Sequence, residues 1–232
     1  MSHPVIRVVD LWKTYEEGRE GVAYALRGTD FEIYRGEVLA LFGKSGSGKT
    51  TLLNLLAGLD QPSRGSIEID GGNLQDLGEN GRTQLRRTRI GFIFQFFNLI
   101  PTLTAFENVF LSLELAGTPD PARALEAFAR VDLNGKEKRY PNELSGGEQQ
   151  RVAIARAIVK NPTIILADEP TGNLDTATGQ KILDLLVHQC RESHTTLLMV
   201  THTPMACRFA DRVLRMVDGE VIEARSCEDA DP

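Results

Sequence analysis

The sequence contains no apolar run of the ~18–20 residues that a helix needs to cross a bilayer, because Glu, Asp, Lys, Arg or Gly breaks every candidate. It opens Met1-Ser2-His3-Pro4-Val5-Ile6-Arg7, with no basic stretch leading into an apolar one, so a secretory signal is not expected. The expectation is a soluble protein that stays where it is made. Cysteine is scarce. Cys190, Cys207 and Cys227 are widely spaced, odd in number and without a metal-like pairing. The first two read as small packed residues and the third as part of a polar tail, which suits a reducing cytoplasm. Basic residues form no long block and the formal net charge is −6, which argues against nucleic acid as the main partner. Internal repeats are missing too. At 232 residues, 41% of them hydrophobic, the chain can bury a sizeable core as one domain with a subdomain.

What is present alternates in type. Val5–Asp10 and Ala23–Ile33 read as strands, and Arg35-Gly36-Glu37 as a turn into the apolar run Val38-Leu39-Ala40-Leu41-Phe42. Thr51–Leu59 reads as a helix with Leu52, Leu55, Leu56 and Leu59 on one face. A short strand follows at Ser66–Asp70, then another at Ile90–Gln95. From Thr104 to about Val131 the pattern is helical, broken at Gly117-Thr118-Pro119-Asp120-Pro121. Ser145–Lys160 reads as a helix with Val152, Ala155 and Val159 facing inward, stopped by Asn161-Pro162. Strand, helix and strand then alternate at Thr163–Asp168, Thr176–Cys190 and Thr195–Thr201. A hairpin signal at Arg212–Val217 and Glu220–Glu223 precedes an acidic tail at 226–232 expected to be disordered. Such alternation predicts an α/β domain with a mainly parallel sheet.

Three motifs stand on this framework. The first, Gly43-Lys44-Ser45-Gly46-Ser47-Gly48-Lys49-Thr50, lies between a strand and a helix, as a phosphate-binding loop requires. Backbone N–H groups and the helix N-terminus attract phosphate oxygens, Lys49 adds a full charge, and the Thr50 hydroxyl can ligate Mg²⁺. The second, Ile164-Ile165-Leu166-Ala167-Asp168-Glu169, carries two carboxylates to the carboxyl edge of a sheet, where parallel sheets bind ligands. Asp168 can hold Mg²⁺ through water, and Glu169 can take a proton from an attacking water. By itself an Asp-Glu pair reads as an acidic turn; the glycine loop reverses that reading. The third, Leu144-Ser145-Gly146-Gly147-Glu148, is a capping box at a helix start. A cap needs no pair of glycines, whereas bare N–H groups can approach an anion closely.

Together these motifs resemble the nucleotide-binding subunit of an ATP-binding cassette (ABC) transporter, over nearly the whole chain 1–232. That resemblance implies a P-loop ATPase fold with a mainly parallel core sheet, an antiparallel β subdomain and an inserted helical subdomain at about 96–160. It also implies ATP and Mg²⁺ as cofactors, with Gly43 to Thr51 around the phosphates. The signature Ser145, Gly146, Gly147 and Glu148 would bind the γ-phosphate of ATP held by another subunit, so two copies sandwich two nucleotides. Glu148 stands where the family more commonly has Gln. Gln95 resembles the Q-loop glutamine that ligands Mg²⁺ and senses the membrane partner. His202 resembles the switch histidine, although Thr203-Pro204 follows where Asp is frequent. Asp175 matches the loop that crosses the dimer interface, and Tyr15 sits where an aromatic stacks on adenine. Trp12 reads as core. The apolar run Phe96–Thr104 follows the Q-loop, where the family docks its permease.

Within the family the resemblance is to the ATPases of macrolide exporters and lipoprotein-releasing complexes, through Asn54–Pro62, Asn98–Val109 and Pro170-Thr171-Gly172-Asn173-Leu174-Asp175. It implies a peripheral protein on the cytoplasmic face of the inner membrane, working with a separate permease. An ATPase of an amino-acid or methionine importer is the rival within transporters. An ABC ATPase acting on nucleic acid or the ribosome is disfavoured, since neither a long coiled-coil insertion nor a second cassette is present. A simple P-loop kinase would lack Ser145-Gly146-Gly147.

Overall fold

The structure, a computed structural model, describes residues 3–17 and 21–224. The expected tail at 226–232, with Cys227, lies outside the described residues. In chain order the elements are β1 (Pro4–Glu17), β2 (Gly21–Tyr34), β3 (Val38–Phe42), α1 (Lys49–Leu56), β4 (Arg64–Ile69), β5 (Gly72–Asn73), α2 (Glu79–Thr88) and β6 (Ile90–Ile93). They continue with α3 (Ala105–Leu115), α4 (Pro121–Arg130), α5 (Gly146–Ile158), β7 (Ile164–Asp168), α6 (Thr176–Glu192), β8 (Thr196–Thr201), β9 (Arg212–Val217) and β10 (Glu220–Ala224). They fall into two compact units, the chain up to Thr83 with Leu198 onward, and Gln84–Leu197. Helix α2 carries the chain out of the first unit and β8 carries it back.

In the first unit, β2-β1-β4-β5 form an antiparallel sheet, and β10-β9-β3-β8 follow one another in a second sheet. There β3 runs parallel to β9, Leu39 opposite Arg212 and Phe42 opposite Arg215. All five residues of β3 are buried, as a central strand covered on both faces requires. The first strand is longer than its sequence suggests. Asp10, expected to end it, instead takes φ 45° in the left-handed region. Its backbone N–H donates to Asp30 Oδ1 at 2.9 Å. The irregularity is a bulge that strand pairing outlasts, so Tyr15 is carried on β1. Helix α1 buries Leu52, Leu53, Leu55 and Leu56 but stops at Leu56. Gly58 at φ 63° turns the chain away, leaving Leu59 53% exposed rather than on the inner face.

In the second unit, β6 and β7 are neighbours and run parallel, with Ile90 opposite Ile164 and Ile93 opposite Ala167. Strand β6 ends at Ile93, so Gln95 sits in the turn beyond it. Helix α5 is the hub, in contact with α3, α4, α6 and β6. Its Val152, Ala153, Ile154, Ala155, Ala157 and Ile158 are all buried. Helix α4 presents Phe128 as a fully buried side chain, a burial worth about 1.5–3 kcal/mol. Both α3 and α4 begin at side-chain caps, Thr104 in a capping box and Asp120 ahead of Pro121. Parallel pairs, an antiparallel sheet and this helical group give the α/β class that the sequence implies.

Candidate functional site

The first unit holds the glycine loop. Gly48 caps α1 at φ 105°, and a Cβ there would lie 2.3 Å from the carbonyl oxygen of Ala25. Only glycine lets this backbone turn so tightly against β2. Lys49 opens α1, buried, its ammonium donating to the carbonyls of Gly43 and Lys44 at 2.7 Å each. The cation is thus fixed inside the loop whose N–H groups it supplements. Lys44, Ser45, Gly46 and Thr50 are exposed along the loop, while Ser47 is buried.

Tyr15 borders the same region. Its ring is 43% exposed, its hydroxyl donates to Asp60 Oδ2 at 3.0 Å, and Thr51 is a further hydrogen-bond partner. Lys13 ties this corner together: its ammonium stands 4.8 Å from the Tyr15 ring centroid and donates to Asp60 Oδ1 at 2.7 Å. Partial burial, then the Asp60 contact, raises the phenol above its ordinary value. Asp60 is held low despite burial, by Lys13, the Gln61 N–H and Tyr15. His202 follows β8 and is exposed. Trp12, expected in the core, is only half-buried. Its indole N–H reaches Asp10 Oδ1 at 2.7 Å, and its ring meets Tyr24 edge-on with centroids 6.2 Å apart. The indole donor needs a polar partner, which keeps one end of the ring at the surface.

The second unit brings the remaining residues into two groups. Asp168 ends β7 half-buried, and Glu169, 9% exposed, follows at φ 47°. A non-glycine residue held left-handed is costly and marks a site whose geometry the surroundings impose. The Gly172 N–H closes this turn on the Glu169 carbonyl at 3.0 Å. Gln95 lies alongside: a Cβ on Gly172 would be 3.2 Å from its Nε2, and Asn173 Nδ2 donates to its carbonyl at 2.5 Å. Gln150 Nε2, fully buried on α5, donates to the Pro170 carbonyl at 2.8 Å.

The other group is the start of α5. Ser145 is its N-cap, and Glu148 returns Oε2 to the Ser145 N–H at 2.9 Å and its hydroxyl at 3.0 Å. Gly146 and Gly147 stand between them. A Cβ on Gly147 would come within 2.8 Å of Thr178 Cγ2, so the starts of α5 and α6 adjoin. Asp175 caps α6, accepting from the Thr178 N–H at 3.0 Å. Hydrogen bonds from Thr178, its hydroxyl first and then its N–H, outweigh desolvation and hold the Asp175 carboxyl below the usual range.

Sequence reasoning missed the side chains that hold these loops. Arg156 on α5 donates to the carbonyls of Asn98 at 2.5 Å and Phe97 at 2.8 Å. Those residues are consecutive and left-handed, Phe97 at φ 60° and Asn98 at φ 48°. Burial lowers the guanidinium to about 10, and a cation inside the apolar run Val152–Ile158 was the available signal. Asn108 on α3, 1% exposed, accepts from the Ile100 N–H and donates to the carbonyls of Ile100, Leu103 and Thr104. Above this braced turn Phe96 is 70% exposed and Ile100 39%.

The ABC transporter family matches residues 26–172. The lipoprotein-releasing system ATP-binding protein LolD of Pseudomonas fluorescens is 48% identical over 92% of this chain and 95% of its own. An uncharacterized ABC transporter ATP-binding protein of Mycobacterium tuberculosis is 46% identical over 95% of this chain and 90% of its own. The solved dimer of the ATP-binding cassette MJ0796, in a post-hydrolysis state with ADP and Pi, superposes with a TM-score of 0.88. It is 43% identical and covers 96% of this chain and 98% of that one; the protein is from Methanocaldococcus jannaschii.

Proposed function

The chain belongs to the ABC transporter family, and from that premise we propose that it is the ATP-hydrolysing cassette of a lipoprotein-release or macrolide-export type system. It binds and hydrolyses ATP, as the family does. The observation that carries the reading is the glycine loop with Lys49 locked into it by Gly43 and Lys44. That loop, Gly43 to Thr51, takes the triphosphate; Tyr15 offers its exposed ring to the adenine. Glu169 is the general base toward the attacking water, with His202 toward the γ-phosphate and Gln95 toward Mg²⁺ and the membrane partner.

Mg²⁺ fits the residues present. Thr50, Gln95 and Asp168 are hard-oxygen donors. That is the donor pattern of an ion bound mostly by phosphates and water. When bound, the ion neutralises charge building on the phosphates.

Two copies complete two sites, each lending Ser145, Gly146, Gly147, Glu148 and Asp175 to the nucleotide of the other. Among the described residues no helix is long and apolar enough to cross a membrane. Attachment to the cytoplasmic face of the inner membrane then comes through permease subunits docked at Phe96–Thr104. The whole chain acts as one cassette, with the helical subdomain at about 96–160.

The test is Glu169→Gln. Removing a positioned base lowers rates by about 10²–10⁴, so the variant should bind ATP normally and turn it over about that much more slowly. Unimpaired turnover would refute the assignment of the base.

A further inference from the structure

One residue of the signature differs from the family's commoner form: Glu148 stands where Gln is usual. Its carboxylate sits in the first turn of α5, one oxygen taken by the Ser145 N–H and hydroxyl. The other oxygen, Oε1, lies 3.3 Å from Lys136 Nζ. The Ser145 backbone bond first, and Lys136 among the further contacts, hold this carboxyl below its ordinary value. It is charged at neutral pH.

A carboxylate there suits the helix and opposes a phosphate. The helix start and the bare N–H groups of Gly146 and Gly147 attract an anion. A negative side chain in the same turn repels it, and repulsion across a closed interface is poorly screened. Lys136 is no random surface cation. Its own N–H donates to the Leu133 carbonyl at 3.0 Å, and its carbonyl accepts from the Arg139 N–H at 3.0 Å. The segment is pinned to α3 by the Ala105 and Phe106 N–H groups, bonded to the carbonyls of Arg139 and Glu137.

We propose that Lys136 is a charge-compensating residue of the signature, neutralising Glu148 so that this helix start accepts the γ-phosphate of ATP bound to a second copy. This rests on the two-copy site described above. An exposed ion pair contributes little to folding, so a merely structural Lys136 could be removed without consequence for nucleotide.

The experiment is steady-state ATP hydrolysis against ATP concentration at low salt. K136A should raise KM about three- to tenfold with kcat changed less than twofold. K136E should raise it further, and K136R should stay near wild type. In an E148Q background, adding K136A should shift KM less than twofold, because no charge is left to compensate. An unshifted KM in K136A, or an undiminished shift in the E148Q background, overturns the proposal. S145R separates the two levels. Lost hydrolysis in S145R beside a wild-type-like K136A removes only the role of Lys136, whereas full hydrolysis in S145R removes the two-copy site and this role with it.

Discussion

At the scale of single residues, Tyr15 and Lys160 make opposite uses of their surroundings. Tyr15 keeps its ring accessible because Asp60 takes the hydroxyl and Lys13 stands over the ring. Base–aromatic stacking is worth about 1–3 kcal/mol, so Tyr15→Ala should weaken ATP by that order in a direct binding titration. Tyr15→Phe keeps the ring and loses only its tether to Asp60, and should weaken ATP by less than about 0.5 kcal/mol. Equal losses would assign the effect to the hydroxyl. Lys160 is half-buried just past the end of α5, donating to the Arg86 carbonyl at 2.6 Å, and burial lowers its ammonium to about 8. Between roughly pH 8 and 10.5 the unfolded chain therefore binds more protons here than the folded one, so stability contributed by this site rises with pH, by at most about 1.4 kcal/mol per unit. Unfolding free energies of wild type and Lys160→Met, compared at pH 7.5 and 9.5, should diverge in favour of wild type. A difference independent of pH would contradict the burial of that charge.

At the scale of elements, the turn between β6 and α3 shows how an apolar loop is kept in one shape. Asn108 gives this turn four hydrogen bonds from one buried side chain. Asn108→Ala strands the Ile100 N–H and the Leu103 carbonyl, whereas the Ile100 and Thr104 carbonyls keep the Leu103 and Asn108 N–H groups, and unmet buried polar groups cost about 1–3 kcal/mol each. Allowing for water entry, we expect a loss of about 2–3 kcal/mol in urea unfolding and faster amide exchange at Ile100; a loss under about 0.5 kcal/mol would show that the turn holds without it. Such side chains mark the limit of what the chain discloses in advance. Apolar runs such as Val38–Phe42 and the cap Ser145 were legible because each is a local pattern with a local cause. Helix α2 escaped notice because Glu79–Thr88 has Leu85 as its sole large apolar side chain and so shows no periodicity. The ends of β1 and α1 were misplaced by Asp10 and Gly58, whose left-handed conformations look alike in sequence whether they bulge a strand or stop a helix. Arg156, Asn108 and Asn173 act on carbonyls supplied by distant or irregular backbone, which no spacing rule encodes. The motif residues were readable; the groups that aim them were not.

At the scale of the whole molecule, each chain carries Tyr15, Lys49, Gln95, Ser145, Asp168, Glu169 and His202, so two identical copies would make two competent sites. The residues at the start of α5 are polar or bare backbone, with Gly146, Gly147 and Glu148 all at least partly accessible. Such a surface gains little from apolar burial, so closure should depend on nucleotide phosphates bridging the copies. In sedimentation the wild-type chain should be monomeric without ATP, and Glu169→Gln should sediment as a dimer with it. Mixing variants tests the architecture directly. Lys49→Ala removes a charge from the phosphate loop, and Ser145→Arg blocks the signature. Alone, each variant has both sites broken. A mixed dimer contains one site with an intact loop facing an intact signature and one site with both defects. Mixing equal amounts should therefore restore hydrolysis at up to about a quarter of wild type, since random pairing makes half the dimers mixed and each of those carries one of two sites. Mixed dimers that form, as shown by distinct tags, yet hydrolyse no ATP would show either that both sites must work together or that no site is shared between copies.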